Sequence, residues 1–137
     1  MAKQQPSADA GLRAQIFGFE SDQATRAAIR FFKERRIDIH LVDLRRKPIA
    51  PGELRRFVEG LGASAVADTE GKPWRDAGLG YLRMDGAELV ERLLADQRLL
   101  RLPLVRVGND VAAGRDEAAW KGLLSRAAGD DAARRGR

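Results

Sequence analysis

The spacing of apolar positions changes from segment to segment along the chain, and each change marks an element. Residues 13–19 place Ile16, Phe17 and Phe19 on both sides of an extended run, as a central strand buried on two faces requires. After Glu20-Ser21-Asp22 the period lengthens. Ala24, Ala27, Ala28 and Phe31 follow i, i+3, i+4, i+7, with Thr25, Ile29 and Phe32 on the adjoining stripe, which predicts a helix. Ser21 or Asp22 can cap it by accepting an orphan backbone N–H. Lys33, Arg35 and Arg36 near its end suit the negative pole of the helix dipole. Over residues 37–44, Ile37, Ile39 and Leu41 alternate with Asp38 and His40, the pattern of a half-exposed strand at a sheet edge.

Pro48 and Pro51 close this β-α-β opening. Leu54, Phe57, Val58 and Leu61 then mark an amphipathic helix that Gly60 or Gly62 can terminate. Residues 63–82 follow no single period; Gly78 and Gly80 argue against one long helix there. Asp85-Gly86-Ala87-Glu88 has the spacing of a capping box ahead of a helix carrying Leu89, Val90, Leu93 and Leu94 and ending near Gln97. Arg101–Val107 reads as a strand entered through Pro103, Gly108-Asn109-Asp110 as a tight turn, and Val111–Ala113 as a short returning strand. A last helix from about Asp116 places Trp120, Leu123, Leu124 and Ala127 on one face. Residues 1–12 read as a disordered leader and 129–137 as a disordered, charged, Ala/Gly-rich tail.

The element order is therefore β-α-β, a helical insert at about 50–100, then β-β-α. That order predicts an α/β, thioredoxin-like fold with a four-stranded mixed sheet, formed as a single domain over residues 13–128. A chain of 137 residues is long enough to bury one real core. No apolar run approaches the roughly 20 residues that span a bilayer, and the first residues lack the apolar stretch of a signal peptide, so the expected compartment is the cytoplasm.

Composition changes the picture at two points. The sequence contains no cysteine, which removes disulfides, thiolate nucleophiles and thiolate metal sites together. His40 is the only histidine, so no metal site is expected. The net charge of +5 is spread among 20 acidic residues, with local basic clusters at Arg35-Arg36, Arg45-Arg46-Lys47 and Arg55-Arg56. Solvated helix ends and loops account for such clusters. No aromatic residues interleave with them, and direct nucleic-acid binding is not expected.

Ile16-Phe17-Gly18 before the turn and Thr25-Arg26-Ala27-Ala28 after it, followed by Arg36-Ile37-Asp38 and Val42-Asp43-Leu44-Arg45, form an ordered set. Gly71-Lys72-Pro73-Trp74-Arg75, Leu99–Val105 and Gly114 continue it. In that order and spacing, from about Gln15 to Leu124, the sequence resembles the arsenate reductase family of the glutaredoxin-like branch, which includes the Spx-type transcriptional regulators. The resemblance implies a redox cysteine in the first turn, at the place of Asp22, or of Ser21 if the turn shifts by one. It implies an oxyanion-binding arginine just before the strand proline, where this chain has Leu102, with Arg101 one residue earlier and turned the other way by strand alternation. Arg75 matches a basic residue of the insert. The resemblance also implies a cis Leu102–Pro103 peptide.

The family-equivalent groove is thus Glu20, Ser21, Asp22, Thr25, Arg26, Arg75, Arg101, Leu102 and Pro103, with no catalytic residue and no cofactor assigned. Without a thiol, arsenate reduction by the family's mechanism is not expected. The functional expectation is a non-catalytic binding or regulatory module, with a protein partner such as the transcription machinery, as the Spx-type resemblance implies. The alternatives are a binder of glutathione or a similar small molecule in the same groove, and an enzyme of non-thiol chemistry. Trp74 and Trp120 are expected in the core.

Overall fold

The computed structural model describes residues 12–135, with side chains through residue 129. The expected leader lies outside the described residues except for Leu12, which packs against the core. Strand β1 spans Arg13–Gly18, helix α1 Gln23–Glu34 and strand β2 Asp38–Asp43. The insert contains α2 (Pro51–Leu61), α3 (Ala63–Val66), α4 (Lys72–Asp76) and α5 (Gly86–Ala95), with short 3-10 turns at Leu79–Tyr81 and Gln97–Leu99. Strands β3 (Leu104–Val107) and β4 (Asp110–Ala113) precede α6 (Glu117–Arg135).

The sheet order is β2-β1-β3-β4. β1 runs parallel to β2, antiparallel to β3, and β3 antiparallel to β4, which makes the four-stranded sheet mixed. β2 lies at an edge. Alternation along β1 divides the core between the two faces. Ala14 and Ile16 join Ala28, Phe31, Phe32, Val105, Trp120 and Leu123 under α1 and α6. Phe17 joins Leu54, Phe57, Val66, Trp74, Leu93 and Leu104 under the insert. Both tryptophans are buried. Phe31, Phe32 and Trp120 meet ring to ring on one face, and Phe17 meets Phe57 edge-on at 5.5 Å on the other.

The boundaries follow local chemistry. Pro51 occupies the first turn of α2, where its missing N–H is no loss, and Gly62 ends that helix at φ 90°. At α5, the Asp85 carboxylate accepts from Glu88 N at 2.8 Å while the Glu88 carboxylate accepts from Asp85 N at 3.0 Å. Asp96 caps the 3-10 turn at Gln97–Leu99 and accepts from Arg98 Nε and Nη2 at 3.0 and 2.8 Å. Those side-chain hydrogen bonds hold its carboxyl below the usual carboxylate range. α6 continues to Arg135, beyond Gly129, where the sequence suggests the tail begins. Its later residues include Ala127, Ala128, Ala132, Ala133, Arg134 and Arg135, all strong helix formers, and they carry the helix past a single glycine.

Candidate functional site

β1 ends at Gly18, and the chain turns through Phe19–Asp22 into α1. The turn is closed by Asp22 N donating to Phe19 O at 2.9 Å. Gly18 is required by the helix that follows: a Cβ there would lie 2.2 Å from Thr25 Oγ1. Thr25 is 0% exposed, and it presses α1 against the end of the strand. Of the two expected caps, Asp22 is the one used. Its Oδ2 accepts from Thr25 N at 2.9 Å and from Thr25 Oγ1 at 2.8 Å. One carboxylate oxygen thus satisfies an orphan helix N–H and a buried hydroxyl together.

The rest of the turn is held from outside. Arg26 Nη1 donates to Glu20 O at 3.3 Å, and Arg45 Nη2 donates to Ser21 Oγ at 3.1 Å. The Arg45 guanidinium also stands 5.8 Å from the centre of the Phe19 ring. Glu20, Ser21, Asp22, Thr25 and Arg26 therefore come together as the sequence places them. Arg45 belongs with them but is absent from the sequence-derived groove. The signal for it was the Val42-Asp43-Leu44-Arg45 marker, which brings the residues after the parallel strand β2 beside the turn after β1.

Pro103 is buried, the Leu102–Pro103 peptide is cis, and Pro103 O accepts from Gly114 N at 2.9 Å. The β1–β3 register pairs Phe17 with Leu104, which brings the proline end of β3 alongside Gly18. The two remaining arginines are engaged elsewhere. Arg101 Nη2 donates to Ala67 O at 3.1 Å, and its aliphatic stem lies against Gly114, where a Cβ would come within 3.0 Å of it. Arg75 donates to the carbonyl of Glu70 and braces the loop ahead of α4. The guanidinium groups tied to the turn are those of Arg26 and Arg45.

Beside the turn, on the insert-facing side of β1 and β2, lies a cleft of about 490 Å³. Phe17, Val42, Pro48 and Ile49 give it apolar walls, and Glu20, Asp43 and Glu53 bring carboxylates to it, with Arg46 and Lys47 on the same segment. A polar row crosses the sheet at its inner end. His40 and Arg106 flank Gln15 in register, with His40 Nδ1 3.3 Å from the Gln15 amide nitrogen and Arg106 Nη2 donating to Gln15 Oε1 at 2.6 Å. Glu53 Oε1 lies 3.9 Å from Arg106 Nε, too far for a hydrogen bond, and neither buried atom has another partner.

Chemically, the turn offers hydrogen-bonding groups without a nucleophile. The Asp22 carboxylate is committed to Thr25, and Glu20 and Asp22 place negative charge at the positive pole of α1, against the cations of Arg26 and Arg45. Among the described residues no group of three or more His, Asp or Glu side chains is placed to hold a metal ion. No helix there is long and apolar enough to cross a membrane.

Comparison with known proteins agrees with this architecture. No curated protein matches the sequence. Among solved structures, a YffB protein superimposes with a TM-score of 0.74 at 20% identity, covering 81% of this chain and 98% of its own. An ArsC-family-related protein from Bacteroides fragilis gives a TM-score of 0.73 at 18% identity, covering 82% and 98% of the two chains. Arsenate reductase from Vibrio cholerae gives 0.71 at 15% identity, covering 84% and 98%. At such identities the likeness concerns the fold, which is thioredoxin-like. The sequence pattern of the ArsC family matches residues 17–123. With that match spanning most of the chain and the sheet, insert and turn arranged as described, this protein belongs to the ArsC family.

Proposed function

We propose that this protein is a non-redox member of its family, a binding or regulatory module of the cytoplasm. The observation that carries the reading is the chemistry of the turn before α1. The chain has no cysteine, and the carboxylate at the helix start is consumed in capping α1 and satisfying Thr25. A thiolate is what would form a sulfur adduct with an oxyanion or a mixed disulfide. An aspartate nucleophile would need a metal or a strong cationic clamp. The Spx-like reading within this proposal rests on the surface. Arg45, Arg46, Lys47, Arg55 and Arg56 are exposed around the start of the insert and suit an acidic partner such as a component of the transcription machinery.

The test is an arsenate reduction assay with glutathione and glutaredoxin, run beside an amide chemical-shift titration with reduced glutathione. The proposal expects no turnover above background. Turnover that is lost in Asp22→Ala would instead establish non-thiol catalysis at this turn.

A second reading is favoured by the retained frame: Pro103 is packed at the end of β3 alongside Gly18 and the turn. In that reading the groove binds glutathione or a similar small peptide without reacting with it. Shifts confined to Ser21–Arg26 and Leu102–Leu104 support it, and their absence at millimolar ligand rejects it.

A further inference from the structure

We draw no further inference here: the strongest candidate, the recess of about 550 Å³ between α2 and the β3–β4 turn that Arg55, Arg56 and Arg106 line, also has Glu59 in its wall, and Arg106 already donates to Gln15 and Gly108 beside Glu53, so nothing in the structure shows what would occupy it.

Discussion

Gly18 and Thr25 meet so closely that a single methyl group has no place between them. Gly18→Ala would drive a Cβ into the threonine side chain, and overpacking of this kind costs about 1–3 kcal/mol. Urea denaturation should show the midpoint falling by that energy divided by the slope, with the slope itself unchanged. Asp22→Ala removes the acceptor of a helix N–H and of a buried hydroxyl, and should cost about 1–2 kcal/mol. Asp96 gives a pH-dependent counterpart. Its carboxyl titrates lower in the folded chain than in the unfolded one, because Arg98 holds the charged form. The unfolded state therefore binds the proton first as pH falls. The stability contributed is full above the ordinary carboxylate range and disappears as pH drops through the lowered folded value. Asp96→Asn should accordingly lower the thermal midpoint near neutrality and flatten its acid dependence, with the two proteins converging at low pH. A constant difference at every pH would refute the ion-pair account.

Elements were legible in the sequence in proportion to their length and to the chemistry of their ends. α5 announced itself through Asp85 and Glu88, because a capping box needs only residues near in sequence. α1 and α2 showed helical spacing over more than two turns, long enough for a period to register. α3 and α4 are four and five residues long, too short for any period, so residues 63–82 could not be divided in advance. They are placed by what they bury, Val66 and Trp74, and by tertiary bonds such as Arg101 N to Val66 O at 2.8 Å. Arg45 escaped for the same reason: its meeting with Ser21 spans 24 positions in sequence, and only the parallel pairing of β1 with β2 creates it. That helix–strand junction makes its own prediction. Arg45→Ala removes a bond to an exposed hydroxyl and should change stability by no more than about 1 kcal/mol, while any ligand shifts at Phe19–Asp22 should change visibly in the same titration.

At the scale of the molecule, the sheet separates two cores that share no side chains: Ile16 lies under α1 and α6, and Ile49 under the insert. Ile16→Val and Ile49→Val should each cost about 0.5–1.5 kcal/mol. In the double variant the costs should add within about 0.5 kcal/mol, as for sites without common partners. A marked departure from additivity would mean the faces communicate through the strands. The fold class was readable because element order alone restricts how parallel and antiparallel pairs can combine. The site was half readable, since order places the turn beside β3 but says nothing of which arginines remain available. The bond between Thr25 and Asp22 also separates charge from shape at this turn. Asp22→Asn keeps an oxygen for the helix N–H and the buried hydroxyl, whereas Asp22→Ala leaves both without one. The helix start therefore asks for an acceptor at position 22 and not for a negative charge.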